Sequence, residues 1–431
     1  MNRLRRVLPW MALAACVAYA AGVGGSGARG GGGGAGGDWD AAGRIPISAD
    51  GRVKPLDTFA RNNLLMLSGR QTYDVDGRSA PAIEWLVELI SNARVAGDRR
   101  VFRIDHPDVV ALLGVGDAKR TRFSFNEIAK RFDEVSRQAE LASRVPPKRR
   151  DPFQKAIADV DRRLMQYYQI ARMEIPYVVA PLGPGEEWRP DPDEAQDGAR
   201  ESASSKAITA MRIAYSHSDA GAFNAEVGRY LGLVAGALPG ETRRAGYEVV
   251  FNRVEPFYRS SVLYVVAFVL ACLGFLMGSL TRPGWFRSLG RSALMVLGAA
   301  FAIHTLGLVS RIYLQGRPPV TNLYSSAVFI GWACIPMAVA SERFFRLGIG
   351  TIAASLIGFG TLVIAHNLAS GGDTMEMMQA VLDTNFWLAT HVVVVTLGYS
   401  ATFLAGVLAA GDILLGVLTP LDAMLTGEGL S

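Results

Sequence analysis

The chain is 431 residues long, and 50% of its residues are hydrophobic while only 19% are charged. It carries 44 Lys and Arg against 39 Asp and Glu, a formal net charge of +5. Of the charged residues, 68 lie in the first 256 positions and 15 in the last 175, where no lysine occurs. Ordinary globular domains carry about 25% charge. This distribution excludes a wholly soluble enzyme, a disordered tail protein and a nucleic-acid binder whose basic charge is spread along the chain.

The chain begins with a short basic stretch followed by an apolar one. Residues 2–6 hold three arginines and residues 7–23 are mainly apolar. This combination is typical of a secretory signal peptide or an uncleaved N-terminal anchor, which we assign to residues 1–25. A lipoprotein cleavage site before Cys16 is an alternative, although the residues after Cys16 stay apolar. Residues 26–40, mostly glycine, predict a flexible linker.

Residues 41–256 are polar, with a normal charge content and helical periodicity. Apolar residues recur at helical spacing over residues 83–90, and residues 125–141 and 153–171 predict further amphipathic helices. Residues 183–200 are rich in Pro, Asp and Glu and predict an exposed loop. We therefore predict a largely helical soluble domain, in which no catalytic constellation is visible.

Five apolar segments follow and predict a polytopic α-helical membrane bundle in residues 257–431, so that the fold class is mainly α. About 20 apolar residues cross a bilayer as a helix, and the first four segments fit one crossing each. The fifth is longer and contains Gly411, near which we expect a break or a protruding end. The segments are residues 261–280, 293–310, 323–340, 347–368 and 386–418.

The placement of arginine predicts the orientation of the bundle. Two short loops are basic, and the positive-inside rule puts them in the cytoplasm. Arg311, Arg317 and an acidic loop then lie outside, together with the soluble domain, as an export signal also predicts. We expect a multi-pass protein of the bacterial inner membrane with a periplasmic soluble domain. The basic loops carry Arg282, Arg287, Arg291, Arg343 and Arg346, and the acidic loop carries Asp373, Glu376 and Asp383.

Three of the five histidines lie in the apolar half: His304, His366 and His391. Ionisable groups at membrane depth are costly and usually face a bundle interior or a cavity. His366 and His391 are expected near the outer surface on consecutive antiparallel helices, where imidazoles would bind a metal centre such as haem iron. For each histidine taken alone, a hydrogen-bonded packing residue is an equal alternative.

Two arginines and two tryptophans are further candidates for a cofactor site. Arg311 and Arg317, on the same side as the outer histidines, would neutralise carboxylates such as haem propionates. Trp332 and Trp387 would contribute to its walls. The alternative for the tryptophans, with Phe386, is an interfacial aromatic belt, and for Trp387 this is the favoured interpretation.

Three motifs stand out. Residues 316–326 are Gly-Arg-Pro-Pro-Val-Thr-Asn-Leu-Tyr-Ser-Ser, and residues 381–392 are Val-Leu-Asp-Thr-Asn-Phe-Trp-Leu-Ala-Thr-His-Val. Residues 50–61 are Asp-Gly-Arg-Val-Lys-Pro-Leu-Asp-Thr-Phe-Ala-Arg, followed by residues 82–86, Ala-Ile-Glu-Trp-Leu. The first resembles the Pro-x-Ser/Thr-Asn-Leu-Tyr-Glu-Ser segment of the CcsA/ResC cytochrome c biogenesis proteins, and the second resembles their external-histidine helix. The third is similar to the exported extension of the family's long members.

The resemblance implies a role in system II cytochrome c assembly, in which a membrane complex moves haem to the outer face and presents it to apocytochrome c. It implies transiently bound haem, a ResB/CcsB-type membrane partner, contact with membrane lipid and no nucleic acid. His391 matches the first external haem-ligating histidine and is the implied metal ligand. The chain would be an assembly factor or part of a haem-attachment synthetase, since it shows no hydrolase or oxidoreductase signature.

The chain also departs from the family pattern. The tryptophan-rich haem-binding segment and the second external histidine after it are absent, Ser325 stands where Glu is common, and Arg317 stands where His is common. We expect either a chain shortened before that segment or a partner that supplies it. The alternatives are a polytopic sensor or permease with an exported ligand-recognising domain, and an assembly scaffold without a cofactor.

Overall fold

A computed structural model describes residues 2–22, 37–75, 77–114, 120–190, 202–279, 283–345, 348–369, 372–375 and 386–418. Over these residues the protein is mainly α-helical, as predicted, with three antiparallel two-stranded sheets. The helices are α1 Asn2–Gly22, α2 Trp39–Gly43, α3 Leu56–Ser68, α4 Ala82–Ser91, α5 Ala93–Ala96, α6 Pro107–Leu113, α7 Phe125–Ala129, α8 Phe132–Ser143, α9 Pro152–Ala171, α10 Ala203–Ser216, α11 Ala220–Ala237, α12 Pro239–Val254, α13 Pro256–Ser279, α14 Pro283–Gln315, α15 Leu323–Phe345, α16 Ile349–Ala369 and α17 Phe386–Leu418. The strands are β1 Pro46–Ala49, β2 Arg52–Pro55, β3 Thr72–Val75, β4 Arg78–Pro81, β5 Phe102–Arg103 and β6 Arg122–Phe123.

The contacts of the chain divide it into two compact units. The apolar unit comprises Met1–Ala28, Arg253–Ala369 and Met378–Ser431, and the polar unit comprises Arg29–Asn252 and Ser370–Met377. The short segment after α16 therefore groups with the polar unit, although the helices on either side of it in the chain are apolar.

The polar unit packs around large aromatic side chains. Trp85 and Tyr167 are fully buried, and Phe125 stacks on Tyr167 with ring centroids 4.7 Å apart. The predicted helices over residues 83–90 and 153–171 are present as α4 and α9. α9 begins with Pro152 behind a capping box in which Asp151 and Gln154 each accept the other's backbone N–H.

One predicted helix is wrong in detail, and one of two alternatives is excluded. Residues 125–141 form two helices, α7 and α8, because Arg131 leaves helical geometry at φ −121° and ψ 21°. Of the break or protruding end expected near Gly411, the break does not occur, since α17 is continuous from Phe386 to Leu418. A single glycine in a helix interior costs only about 1 kcal/mol relative to alanine, which does not interrupt a long apolar helix.

The β1–β2 hairpin places a charged cluster in the interior of the polar unit. Asp50 and Gly51 form its turn with φ values of 51° and 77°. Positive φ at both central residues matches the right-handed twist of the strands, and an Asp-Gly pair adopts it readily. The hairpin thereby places Arg52 and Lys54 side by side on β2.

Arg52 and Lys54 bind two buried carboxylates. Arg52 donates two hydrogen bonds of 2.8 Å to Glu248 of α12 and two, of 2.9 and 3.1 Å, to Asp373. Lys54, 1% exposed, donates to Asp373 at 2.8 Å and to Asp50 at 2.5 Å. Both carboxylate side chains are nearly inaccessible, at 3% and 4% exposure. Such charges persist in an interior only when each is paired and hydrogen-bonded.

The charged cluster makes the stability of the polar unit dependent on pH. Burial alone raises the pKa of Asp373, but the charges of Arg52 and Lys54 outweigh it, and the pKa lies well below its ordinary value of 3.8. A depressed pKa contributes stability above pH 3.8 that is lost as the pH falls further. We expect the melting temperature of the wild type to exceed that of Asp373→Asn at pH 7, and the difference to shrink below pH 3.8. A difference that is constant with pH contradicts this prediction.

Five segments of the described chain are long and apolar enough to cross a membrane; four lie within the apolar unit, and the first begins in the polar unit. The predicted polytopic α-helical membrane protein is thereby confirmed. The segments are Pro239–Met277, Trp285–Gln315, Leu323–Glu342, Ile349–Ala369 and Ala389–Leu414.

The N-terminal helix α1 is a further part of the apolar unit, in contact with α14. Cys16 is buried at 5% exposure, with Ala12 and Tyr19 packed against the same apolar cluster. Arg259 of α13 donates from Nη1 to the backbone oxygen of Ala20 at 2.8 Å. The predicted linker lies largely outside the described residues, as do the end of the loop after Arg189 and the chain after Leu418.

Candidate functional site

His304 lies in the middle of α14 and is completely buried. Its Nδ1 is 3.0 Å from the hydroxyl oxygen of Tyr264 on α13, and Phe257 packs edge-on against its ring at 5.6 Å between centroids. The imidazole also interacts with the backbone of Val328 on α15. It therefore contacts both α13 and α15, in keeping with the rule that buried polar groups are nearly always paired.

A cleft of about 430 Å³ lies next to this histidine, between α13, α15 and α16. Its size is within the range of small-molecule sites. The walls are mainly apolar, and they include Phe257 and Tyr324, whose rings pack against each other at 6.4 Å. Since Phe257 also contacts His304, the aromatic wall separates the cleft from the buried imidazole. The remaining lining residues are Tyr258, Ser261, Val262, Val265, Val266, Phe359, Leu362, Val363, Ala365, His366 and Ala369.

His366 is the histidine that lines the cleft itself. It stands three residues before the end of α16 and is exposed. α16 approaches α13 closely because Gly358 faces the ring of Tyr264, where an added Cβ would lie 3.0 Å from ring carbons. This contact packs α16 against α13, the two helices that supply most of the cleft lining.

Arg311 lies behind the aromatic wall. Its guanidinium carbon is 4.6 Å from the centroid of the Tyr324 ring, and the residue is 5% exposed. A cation over an aromatic face is attracted by about 2 kcal/mol when desolvated. The buried positive charge of Arg311 therefore lies close to the cleft, separated from it by the ring of Tyr324. Arg317 follows α14 and does not line the cleft.

The motif at residues 316–326 has a structural explanation in the start of α15. Asn322 accepts the N–H of Ser325 at 2.9 Å, while the Ser325 hydroxyl accepts the N–H of Asn322 at 2.8 Å. This reciprocal pair is a capping box, with Ser325 in the position where Glu or Gln usually stands. The cap fixes the first turn of α15, from which Tyr324 contributes to the cleft.

The two candidate tryptophans occupy different environments. Trp332 donates from Nε1 to the Thr305 hydroxyl at 2.9 Å and stacks on Phe301 at 5.8 Å, so it packs α15 against α14. Trp387 is 74% exposed and contacts Phe386 edge-on. Neither side chain lines the cleft. The position of Trp387 near the start of α17 agrees with an aromatic belt.

His391 is exposed near the start of α17 and is not a lining residue of the cleft. The structure therefore groups His304 and His366 around one aromatic wall but does not bring His391 to it. Within the described ranges, no three His, Cys, Asp or Glu side chains gather as metal ligands. The first five residues of the motif at 381–392, including Asp383, lie outside the described residues.

Three residues of the site were missed by sequence reasoning, which considered only ionisable groups and tryptophans. Tyr264 holds His304, while Phe257 and Tyr324 form the wall of the cleft. Tyr264 carries a hydroxyl in the middle of an apolar segment, and such a group needs a partner when it is buried. This was a usable signal. Tyr324 stands in the motif at residues 316–326, but its contacts with Phe257 and Arg311 depend on helix packing and could not be predicted from the sequence.

Comparisons with known proteins give partial similarity to three named relatives. No protein-family model matches the chain. The chain is 27% identical over 405 residues to "Protein NrfI" of Wolinella succinogenes, covering 86% of this chain and 42% of that protein. It is 28% identical over 155 residues to "Cytochrome c biogenesis protein CcsA" of Prochlorococcus marinus, covering 34% and 48%. It is 28% identical over 124 residues to "Protein HemX" of Brevibacillus brevis, covering 29% and 44%.

The chain thus spans less than half the length of each of these three relatives. The predicted resemblance to CcsA-type proteins is confirmed at the level of partial similarity, which does not single out one member of the group.

Proposed function

We propose that this membrane protein handles haem in cytochrome c biogenesis, binding it in the apolar unit and presenting it to apocytochrome c on the outer face of the membrane. The observation that carries the proposal is the apolar cleft lined by His366, with the buried imidazole of His304 behind its aromatic wall. The relatives named for cytochrome c biogenesis support the same assignment.

The residues of the cleft fit the chemistry of haem. A porphyrin ring is flat and apolar, and the cleft offers Phe257, Tyr324 and Phe359 together with valine side chains. Imidazole is a common axial ligand of haem iron, and His366 supplies one in the cleft. The buried charge of Arg311 offsets part of the negative charge of the propionates.

In this mechanism the protein positions haem and contributes little acid–base chemistry. When bound, haem supplies the vinyl groups and the iron on which attachment to cytochrome c depends. His366 would hold the iron within the cleft, and His391, exposed on α17, would hold it at the outer surface. The aromatic wall would exclude water from the bound haem. The remaining candidate residues would orient haem or stabilise the helices around it; they are Arg311, Arg317, Trp332 and Trp387.

The proposed topology places the polar unit outside the inner membrane, where apocytochrome c and a ResB/CcsB-type partner would meet it. The basic residues Arg287 and Arg291 would lie on the cytoplasmic side. We further infer that α1 remains as an anchor, and that Cys16 is not lipidated. The burial of Cys16 and the hydrogen bond from Arg259 to Ala20 support this inference.

The test is haem binding by the purified full chain in mild detergent, followed by its Soret absorbance. We expect His366→Ala and His391→Ala each to weaken haem retention about 100-fold or more, because even outer-shell substitutions at metal sites cost 10–100-fold. Asn367→Ala changes an exposed neighbour of His366 on the same helix and is expected to retain haem as the wild type does.

Two results would overturn the proposal. The first is a wild-type chain that shows no Soret band after exposure to haem. The second is a set of three variants that bind haem equally well, because the histidines would then have no part in retention. A monodisperse elution profile for each variant separates loss of binding from loss of folding.

A further inference from the structure

A second cleft, of about 440 Å³, lies at another end of the apolar unit. It is formed by the last turns of α13, the first turns of α14 and the junction of α15 with α16. Its lining includes Phe275, Arg287, Gly290, Arg291 and Glu342. It shares no lining residue with the cleft that holds His366.

Two arginines give this second cleft its charge. Arg287 and Arg291 are four residues apart on α14, so their side chains lie on the same face of the helix. Both are exposed, and neither makes an ion pair with any residue that the structure describes. Two guanidinium groups on one face match a phosphate or carboxylate, which accepts several hydrogen bonds at once.

The acidic residue of the second cleft is already engaged. Glu342, near the end of α15, accepts the backbone N–H of Gly348 at 2.5 Å and that of Gly350 at 2.8 Å. Its carboxylate therefore accepts the backbone N–H groups at the start of α16, which would otherwise be available to bind an anion. The arginines are left as the cationic groups available to a ligand.

The other walls are apolar and continue onto the outer surface of the bundle. Phe275, Phe286 and Leu294 line the cleft. Leu294 is also 45% exposed, on the same face of α14 as Arg287 and Arg291. In a membrane-spanning helix, such a leucine faces acyl chains. A ligand with an anionic head and an apolar tail would satisfy both surfaces together, whereas a free anion would satisfy only the arginines.

We propose that the second cleft binds the phosphate headgroup of an anionic phospholipid, with Arg287 and Arg291 as its ligands and the acyl chains along Phe286 and Leu294. Basic pockets between membrane helices are typical sites for anionic headgroups. The proposal does not depend on haem binding. It adds a lipid site at the junction of four helices, where an occupant would tie α13 and α14 to the start of α16.

The test measures phospholipid bound to the purified full chain in detergent, by native mass spectrometry with added cardiolipin or phosphatidylcholine. We expect the wild type to retain cardiolipin in preference to phosphatidylcholine. Arg287→Gln with Arg291→Gln should bind cardiolipin about thirtyfold more weakly, because each arginine near a charged lipid contributes a factor of about five. A matched charge control, Lys148→Gln with Arg149→Gln, removes two exposed charges from the polar unit and should bind as the wild type does.

A steric variant gives an independent readout that leaves the arginines in place. A Cβ added at Gly290, which lines the cleft, or at Gly298, two turns further along α14, would meet no atom within 4 Å. Gly290→Leu is expected to displace cardiolipin, and Gly298→Leu is expected to retain it. Equal cardiolipin binding by wild type, the arginine double variant and Gly290→Leu would overturn the proposal. Displacement of cardiolipin by millimolar inorganic phosphate would also overturn it, because the site would then recognise a free anion.

Discussion

Arg52→Met is expected to lower the free energy of unfolding of the polar unit by about 3–5 kcal/mol, because it leaves buried carboxylates without their guanidinium partner. Glu248 loses both of its 2.8 Å bonds from Arg52 and keeps the Thr58 hydroxyl. Asp373 keeps Lys54 and the backbone N–H of Met375. Total stabilities of protein domains are about 5–15 kcal/mol, so this loss is large. Hydrogen exchange of Pro46–Pro55 and Pro239–Val254 in the full chain measures it, since these segments carry the cluster.

The matched control is Arg137→Met. Arg137 pairs with Glu134 on the surface, where the two side chains are 64% and 36% exposed. Exposed pairs contribute about 0.2–1 kcal/mol.

Arg52→Met combined with Glu248→Gln should recover part of the loss, because it removes one of the unpaired charges. Equal exchange rates for Arg52→Met and Arg137→Met would show that the buried cluster does not stabilise the unit.

Val262→Trp is expected to reduce haem retention about tenfold or more by filling the cleft beside His366. Val262 lines the cleft on α13 and is only half-buried, so an indole at this position extends into open space. Ligand sites bury most of the surface of their ligand, and a filled cleft cannot do so. Titration of the purified chain with haem, followed by Soret absorbance, gives the change in affinity.

Val269→Trp is the control for this substitution. Val269 lies seven residues further along α13, about two helical turns away. It is 47% exposed and does not line the cleft. It should bind haem as the wild type does. If Val262→Trp and Val269→Trp bind haem equally, haem does not occupy the cleft, and His391 on the surface of α17 becomes the site to examine.

Some details of the fold had sequence signals that helical periodicity alone did not capture. Asp50-Gly51 and Asp76-Gly77 are Asp-Gly pairs, and such pairs between extended segments are strong hairpin signals. Ser124 followed by Glu127 forms a capping box, which marks the start of α7. This signal fixes where the first of the two helices in residues 125–141 begins. The continuity of α17 through Gly411 had no such signal, because an isolated glycine is compatible with either outcome.

The sequence by itself determined the class of this protein. Long apolar segments without charge must form helices in a membrane, because every backbone group in lipid needs a hydrogen-bond partner within its own segment. The three histidines of the apolar half could also be identified as candidates, because ionisable groups are rare there. Which of them share a site was decided only by the tertiary structure.

The same limit applies to the charged cluster of the polar unit. The sequence shows Arg52 and Lys54 in one motif and Asp373 more than 300 residues later, with nothing to relate them. Helix and strand periodicities arise from neighbours along the chain, whereas a buried ion pair or a cleft arises from segments distant in sequence that pack together. For that reason the helices were predictable, and the partners of Asp373, His304 and His366 were not.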